Sequence, residues 1–298
     1  MGVKTIVDPC IYTNSAGFKY MELTCQYPFL KSFYFDFELK YDVVEVRDML
    51  VQIPYVPILA CILYGLLIRV GQTYFKEKDP LNWRRAMTVW NLLLASFSAT
   101  GFIRTLPYLV HILTTYEFRD VFCTDPENGY GCGTTGLWVQ LFILSKLPEL
   151  FDTMFIVVHK KKLSFLHWYH HITVLLYCWN SYVTKAPSGI IFSVMNYGVH
   201  AVMYFYYFLM AIKIRPPWAM IVTLLQISQM VVGVACTVFG FYYYDGGVDC
   251  AISKQNNYAA FVMYGSYLIL FLEFFVQRYY IIPNKKKKTT LNGKKKEL

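Results

Sequence analysis

The sequence has few charged residues, which excludes the usual soluble classes. Asp, Glu, Lys and Arg make up 16% of its 298 residues, whereas hydrophobic residues make up 56%, and the mean hydropathy is +0.36. A soluble protein of this length needs a larger charged fraction to cover its surface. The composition therefore predicts a polytopic membrane protein.

The N-terminus, MGVKTIVDPCIYTNSAGF, lacks the apolar core of a secretory signal peptide, so we expect no cleaved signal. It also lacks the myristoylation pattern, because Ile6 stands where Ser or Thr is required. Residues 1–50 are predicted to form a lumenal flank that becomes helical from Val43 onward. The sequence indicates no function for this flank.

Seven apolar stretches are present, each near the length of about 20 residues that crosses about 30 Å of hydrocarbon. They run near residues 53–71, 87–113, 136–158, 164–183, 188–211, 217–243 and 258–282. The fourth and fifth stretches are the most polar, because both contain histidine. We predict an all-α membrane domain over residues 51–283 and a basic tail over residues 284–298.

Lysine and arginine collect in alternate loops, and this pattern sets the orientation of a membrane protein. The loops YFKEKDPLNWRRAM, HKKKLS and KIRPPW and the tail NKKKKTTLNGKKKEL are basic and are predicted to be cytosolic. The N-terminus is then lumenal. Since these loops hold most of the net charge of +9, we expect no nucleic-acid partner. Two lysines near the C-terminus resemble a dilysine retrieval signal for the endoplasmic reticulum, namely Lys295 and Lys296.

Three of the eight cysteines, Cys123, Cys132 and Cys250, fall in loops predicted to face the oxidising lumen, where disulfides persist. We predict a bridge between the second and sixth loops, with Cys123 to Cys250 preferred over Cys132 to Cys250. Sequence alone does not fix the pairing. Cys10 and Cys25 are further lumenal candidates.

Ionisable and polar groups inside predicted spans mark functional candidates, because they are costly to bury in a membrane. They form clusters with helical spacing in four spans. At about 100° per residue, each cluster is predicted to occupy one helix face. The clusters are Lys146, Glu149 and Asp152 in the third span; His167, His170 and His171 in the fourth; Asn196, His200 and Tyr204 in the fifth; and Gln226 and Gln229 in the sixth.

Histidine is scarce, and this scarcity bears on the chemistry of the box His167-x-x-His170-His171. The box resembles one motif of membrane di-iron desaturases, but those enzymes need about eight histidines to hold two metals. This chain has six, and His111 and His159 lie outside the clusters. A dinuclear site is therefore not expected, whereas a single metal held by three or four histidines stays open.

Acid, base or nucleophilic work by imidazole is the other role for this box, since the pKa of imidazole lies near operating pH. The clusters of Lys, Glu and Asp could equally form an ion network that clamps helices together. Two further function classes fit the topology, namely a membrane di-metal oxidase and a seven-span receptor or transporter. The latter leaves the four clustered histidines without a chemical purpose.

Four motifs in order resemble the ELO-type very-long-chain fatty acid elongases. They are KLPELFDT (146–153), LHWYHH (166–171), NYGVHAVMYFYY (196–207) and TLLQISQM (223–230). The second and third are similar to the branch that acts mainly on saturated and monounsaturated chains. The match extends from about Val51 to Tyr280.

This resemblance implies a seven-helix protein of the endoplasmic reticulum, in which six spans form an inverted barrel around an acyl tunnel. It implies a 3-oxoacyl-CoA synthase that condenses a long-chain acyl-CoA with malonyl-CoA and needs no cofactor. The ketoacyl-CoA reductase, dehydratase and enoyl reductase of the elongation cycle would be its partners, with membrane lipid around it. A homo-oligomer is compatible with this picture.

The family also implies that a histidine of the box takes the acyl group before malonyl-CoA decarboxylates and attacks it. By position, His170 is the expected nucleophile, with His200 facing it and with His167 and His171 in tuning roles. The expected positioning residues are Lys146, Glu149, Asp152, Asn196, Tyr204, Gln226 and Gln229.

Basic residues at the cytosolic mouth are expected to hold the CoA phosphates, because CoA is a polyanion. They are Lys160, Lys161, Lys162, Lys213 and Arg215. At the other end of the tunnel, the aromatic stretch FGFYYY (239–244) is the expected stop for the acyl chain.

Overall fold

The computed structural model describes residues 11–128, 130–245 and 250–281, and most of these residues are helical. The helices, in chain order, are α1 (Leu23–Gln26), α2 (Asp36–Leu39), α3 (Val44–Gln52), α4 (Tyr55–Tyr74), α5 (Arg84–Thr115), α6 (Asp120–Cys123), α7 (Gly133–Ser145), α8 (Asp152–Val158), α9 (Phe165–Val183), α10 (Gly189–Ala211), α11 (Ala219–Asp245) and α12 (Lys254–Val276). The tail with Lys295 and Lys296 lies outside the described residues.

Among the residues that the structure describes, four helices are long and apolar enough to cross a membrane, namely α4, α5, α11 and α12. The other three predicted spans correspond to α7 with α8, to α9 and to α10. Helices α7 and α8 are each too short, with 13 and 7 residues, because a 3₁₀ turn separates them, whereas α9 and α10 carry histidines and amides that lower their hydropathy. The prediction of a mostly helical, multi-pass membrane protein is confirmed.

The helices connect at two ends of the bundle. At one end, Nζ of Lys160 donates to the backbone oxygens of Lys76 and Lys78, and Nε of Arg84 donates to the oxygen of Ala211. We call this the basic end, formed by loops 75–83, 159–164 and 212–218. At the other end, the Tyr130 hydroxyl donates to the oxygen of Ala186 at 2.6 Å. We call this the disulfide end, because the disulfide of Cys123 with Cys250 also lies there.

Cys123 and Cys250 form a disulfide, which is the preferred one of the two predicted pairings. The backbone N–H of Ala251 also donates to the oxygen of Cys123 at 3.0 Å, so two links hold the loop after α5 to the start of α12. Cys132 is a buried free thiol that accepts a hydrogen bond from Asn14. Cys25 is disulfide-bonded as well, and Cys10 lies outside the described residues.

The N-terminal flank begins with an antiparallel hairpin of β1 (Ile11–Thr13) and β2 (Lys19–Met21). Asn14 closes its turn, since its Oδ1 accepts from the backbone N–H groups of Ala16 and Phe18. Gly17 completes the turn with a φ of 84°, a conformation that glycine adopts without strain. Helix α3 begins at Val44, one residue after the predicted start.

The flank packs onto the disulfide end through buried polar contacts. Glu38, which is 1% exposed, accepts from Nε of Arg104 at 3.0 Å and from Nε1 of Trp138 at 2.7 Å. The Tyr41 hydroxyl donates to Oε1 of Gln140 at 2.6 Å. A buried charge is tolerated only when it is paired in this way, so these contacts fix the flank on the bundle.

Helices α5 and α10 pack closely because of a glycine. A Cβ atom at Gly101 would lie 2.3 Å from the Tyr197 ring. Glycine is therefore required at position 101 for the ring to pack directly against the backbone of α5. The Tyr197 hydroxyl donates to the backbone oxygen of Trp138 at 2.8 Å, which ties α10 to α7 as well. These contacts bring the polar residues of α10 against the segment between α7 and α8.

Candidate active site

A 3₁₀ turn sets the geometry of the polar cluster in the third predicted span. Residues Pro148–Phe151 form this turn between α7 and α8, and the backbone N–H of Leu150 bonds to the oxygen of Leu147, three residues earlier. Three residues of 3₁₀ helix make one full turn and advance about 6 Å. Lys146, Glu149 and Asp152 therefore lie in line, rather than on the wider arc that continuous α-helix predicts.

The matching cluster on α10 has the same pitch. Four residues of α-helix also advance about 6 Å, so Asn196, His200 and Tyr204 repeat at the interval of the 3₁₀ segment. The two rows meet in pairs, which we call the polar ladder. Its pairs are Lys146 with Asn196 at 3.2 Å, Glu149 with His200 at 4.0 Å, and Asp152 with Tyr204 at 2.6 Å.

Lys146 and Glu149 form a buried ion pair at one end of the ladder. Nζ of Lys146 donates to Oε1 of Glu149 at 2.7 Å, and both side chains are almost fully buried. The Ser145 hydroxyl donates to the same oxygen at 3.0 Å. The second carboxylate oxygen of Glu149 is the one that faces Nδ1 of His200.

Asp152 closes the other end of the ladder, with both of its oxygens engaged. Oδ1 accepts from Nε1 of Trp90 at 2.6 Å, and Oδ2 accepts from the Tyr204 hydroxyl at 2.6 Å. Trp90 was not among the predicted site residues, because it lies on α5, far from the four motifs. The contact makes Asp152 and Tyr204 a structural support for His200, whose ring packs on the Tyr204 ring.

The three histidines of α9 have different surroundings. Nε2 of His167 lies 2.9 Å from the Thr153 hydroxyl, which in turn lies 2.7 Å from the Tyr64 hydroxyl. His171 is buried between the His167 ring and the Tyr64 ring.

His170 contacts a different helix, although its ring centroid lies 5.6 Å from that of His171. Its ring packs on the Tyr267 ring, with 5.0 Å between the ring centroids. The Tyr267 hydroxyl lies 3.3 Å from the backbone oxygen of His170 and close to the Thr173 hydroxyl. Helix α12 therefore supports this part of α9, and the His170 ring is left facing the space between the helices.

Two cavities meet at His170. The outer cavity, of about 640 Å³, extends toward the basic end and is lined by all four clustered histidines. The inner cavity, of about 70 Å³, is a narrow space that extends toward the disulfide end. The residues that line both cavities are His170, Asn196, Gln229 and Met230. This junction is the candidate active site.

The walls of the two cavities differ in character. The outer cavity includes Asp152, Tyr204, Gln226 and the four histidines, and Nε2 of Gln226 contacts Sδ of Met203 at 3.2 Å. The inner cavity is mainly apolar between its ends. Its middle walls include Val139, Phe142, Ile143, Val174, Tyr177, Phe192, Met263 and Tyr264. Such a narrow apolar space suits an extended hydrocarbon chain.

The predicted basic rim is distributed unevenly. Lys161 lines the outer cavity, whereas Lys160 is engaged with loop 75–83. Lys162, Lys213 and Arg215 are exposed at the basic end and line neither cavity. Arg278, which follows α12, lines the outer cavity and was not among the predicted rim residues.

The expected aromatic stop does not line the inner cavity. Within residues 239–244, the Phe239 and Tyr243 rings pack on Phe122, outside the cavity walls. The far end of the inner cavity is instead formed by charged residues from three short segments outside the predicted spans, namely Arg47, Glu127 and Lys185. The prediction for residues 239–244 was therefore wrong.

Comparisons with known proteins place the chain in one family. Residues 49–289 match the model of the ELO: GNS1/SUR4 family. The chain is 42% identical to very long chain fatty acid elongase 6 of Drosophila melanogaster, over 83% of this chain and 79% of that protein.

Two further relatives are as similar. Very long chain fatty acid elongase 6 of Homo sapiens is 42% identical, over 76% of this chain and 84% of that protein. Fatty acid elongase 3 of Trypanosoma brucei brucei is 40% identical over the same shares. With the motifs, the membrane helices and the match over residues 49–289, the chain belongs to the ELO family and acts in very-long-chain fatty acid elongation.

Proposed function

We propose that this protein is the condensing enzyme of the elongation cycle, a 3-oxoacyl-CoA synthase that joins a long-chain acyl-CoA to malonyl-CoA. The main support for this proposal is that His170 lies between a wide cavity and a narrow apolar one. The acyl chain occupies the inner cavity and CoA occupies the outer one. The thioester carbon then lies at His170.

The first step is transfer of the acyl group to His170. A nitrogen of the neutral imidazole attacks the thioester carbon, a C–N bond forms and the C–S bond breaks. The imidazole loses its ring proton, and the leaving CoA thiolate takes one up and departs as free CoA. The product is an acyl-imidazole whose chain stays in the inner cavity.

The second step uses malonyl-CoA. Loss of carbon dioxide leaves an enolate, whose carbon attacks the acyl carbon as the C–N bond to His170 breaks. The departing imidazole nitrogen takes up one proton from water, so the whole reaction consumes one proton. The product is a 3-oxoacyl-CoA that is two carbons longer, and carbon dioxide and CoA are released.

The polar ladder supports this chemistry. Glu149 beside Nδ1 of His200 favours the tautomer with hydrogen on Nδ1, which leaves Nε2 as the acceptor that takes up the ring proton of His170. Lys146 holds Glu149, and Asn196 at the junction contacts the reacting carbonyl group. Gln229 lies at the same junction. His167 and His171 shape the outer wall.

The proposed architecture is a seven-span protein whose last six spans form an inverted barrel around the two cavities. We place the basic end in the cytosol and the disulfide end in the lumen of the endoplasmic reticulum. The disulfide of Cys123 with Cys250 supports this orientation, because disulfides persist in the oxidising lumen. Insertion of a glycosylation acceptor tests it, since loop 184–188 should be modified and loop 159–164 should not.

The wider assignments follow from the reaction. No cofactor is needed, because a thioester and a decarboxylation supply the driving force. Lys161 and Arg278 would contact the CoA phosphates, with Lys160, Lys162, Lys213 and Arg215 adding a positive field at the cytosolic surface. The 3-oxo product requires a ketoacyl-CoA reductase, a dehydratase and an enoyl reductase as partners. Lys295 and Lys296 would retrieve the protein to the endoplasmic reticulum.

The test is a condensation assay with purified protein in lipid nanodiscs. Acyl-CoA and malonyl-CoA should give equal amounts of carbon dioxide, CoA and 3-oxoacyl-CoA. His170→Ala should lower turnover about a hundredfold or more. His159→Ala is the matched control, because the His159 ring bonds to the oxygen of Phe155 and lines neither cavity.

Two outcomes would overturn the proposal. One is unchanged turnover of the His170→Ala protein. The other is a product that forms only with oxygen and stoichiometric iron, as a membrane di-metal oxidase requires.

A further inference from the structure

The end of the inner cavity remote from His170 is closed by an ion cluster. The lining continues along one face of α9 and its following loop, from His170 to Lys185, a distance of about 22 Å. There, Nζ of Lys185 lies 2.8 Å from Oε1 of Glu127, and Nη1 of Arg47 bonds to the same oxygen. Glu127 is 4% exposed, so its charge is neutralised by these two cations rather than by water.

The cluster comes from short segments outside the helices that carry the catalytic residues. Arg47 lies on α3 in the N-terminal flank, Glu127 lies in the short 3₁₀ turn Pro126–Asn128, and Lys185 follows α9. The flank is fixed independently by Glu38, which is bound to Arg104 and Trp138. The position of the cluster relative to His170 is therefore set by the fold.

We propose that the Arg47–Glu127–Lys185 cluster is the stop that limits the length of the acyl chain. This inference rests on the proposed function, because it takes the inner cavity as the site of the chain. When the methyl end of the chain reaches the cluster, the chain can advance only if the buried ion pair is broken.

Magnitudes show why such a stop is effective. Burial of two further methylene groups raises affinity about fifteenfold. Breaking a buried, hydrogen-bonded ion pair costs on the order of a hundredfold or more. Two added methylene groups therefore gain less affinity than disruption of the ion cluster loses. The longest substrate that binds well is the one whose methyl end just reaches Glu127.

An apolar replacement of the pair tests the stop. Arg47→Met/Glu127→Leu removes both charges at similar volume and leaves no unpaired buried charge, since Lys185 extends to solvent with 38% of its side chain exposed. Purified protein is assayed with saturated acyl-CoAs that increase in two-carbon steps. Turnover of the first substrate that the wild-type protein fails to elongate should rise at least about tenfold.

Asp48→Asn is the matched control. Asp48 bonds to Arg47 from the solvent side, with 56% of its side chain exposed, and does not line the inner cavity. Its product lengths should equal those of the wild-type protein. The shortest substrate serves as the internal reference, because absence of condensation with it in the wild-type protein contradicts the proposed function and not the stop alone.

A double variant that condenses the shortest substrate at the normal rate and keeps the wild-type length limit overturns the inference. If the double variant fails to fold, the Lys185→Ala protein is assayed in its place. The Lys185 side chain is partly exposed, so its removal should be tolerated, and it takes one of the two cations away from Glu127. Lys185→Ala should raise turnover of the first excluded substrate severalfold. An unchanged length limit in that protein would equally contradict the stop.

Discussion

The carboxylate of Glu149 lies 4.0 Å from Nδ1 of His200, while its other oxygen bonds to Nζ of Lys146. This arrangement links the buried ion pair to an imidazole that lines the outer cavity. Lys146 fixes the carboxylate, and the carboxylate fixes the His200 ring. Glu149 is a positioning residue in this account, because it acts through His200.

Glu149→Gln should lower kcat about tenfold to a hundredfold and change KM for acyl-CoA only a few fold. The neutral amide cannot stabilise positive charge on His200, whereas the chain and CoA contacts are unaffected. Lys146→Met is the comparison variant, since it removes the cation of the same ion pair but keeps the carboxylate beside His200. Equal losses of kcat in the two proteins, with equal losses of thermal stability, would contradict a positioning role.

Gly101→Ala should destabilise the protein by about 1–3 kcal/mol, because the added Cβ collides with the Tyr197 ring and the surrounding helices are closely packed. Gly65→Ala on α4 is the matched control, since no atom lies within 4 Å of a Cβ there. This control should be neutral or stabilising by up to about 1 kcal/mol. Thermal unfolding in detergent measures both, and equal midpoints would argue against close packing of α5 on α10.

Glu22 in the N-terminal flank gives a pH dependence of stability. Burial raises the pKa of Glu22 to about 7, even though backbone N–H groups of Thr134 and Leu23 favour the charged form; the negative charge of Glu38 adds to the rise. In the unfolded chain the pKa of Glu22 is near 4.5. The folded protein binds this proton more tightly, so the stabilisation is complete below about pH 4.5 and is lost as the pH rises through about 7.

Glu22→Gln should remove this dependence, because the amide stays neutral at every pH. The wild-type protein should lose up to about 3 kcal/mol between pH 5 and pH 8 from this group, and the variant should be the more stable protein above pH 7. Thermal unfolding across that pH range is the measurement. Glu45→Gln, at an exposed position of α3, is the control and should follow the wild-type curve. A Glu22→Gln curve parallel to that of the wild-type protein would refute the assignment.

Hydropathy and spacing sufficed to predict the order of the helices and the polar clusters that the structure brings together at the candidate site, because both depend on local periodicity. His200 and Glu149 were expected in one site since each lies on a helix face with other polar groups. The register between them was not predictable, because it depends on a 3₁₀ turn at Pro148 whose pitch matches that of α10. Only contact between the two segments reveals that match.

Long-range partners were the main omission. Trp90 bonds to Asp152 across 62 positions, and Arg47 bonds to Glu127 across 80 positions. Neither pair has a local pattern, since one member of each is an isolated polar residue among unrelated neighbours. The flank seemed to have no function for the same reason, although it supplies Arg47 to the end of the inner cavity.

The acyl-histidine step is tested most directly by detection of an acyl group on His170. Purified protein is incubated with a long-chain acyl-CoA and no malonyl-CoA, then digested and examined by mass spectrometry, with free CoA measured in parallel. We expect up to one CoA released per protein and an acylated peptide whose modified residue is His170, absent from the His170→Ala protein. Full condensation activity with malonyl-CoA, without an adduct or CoA release in its absence, would contradict the acyl-histidine step.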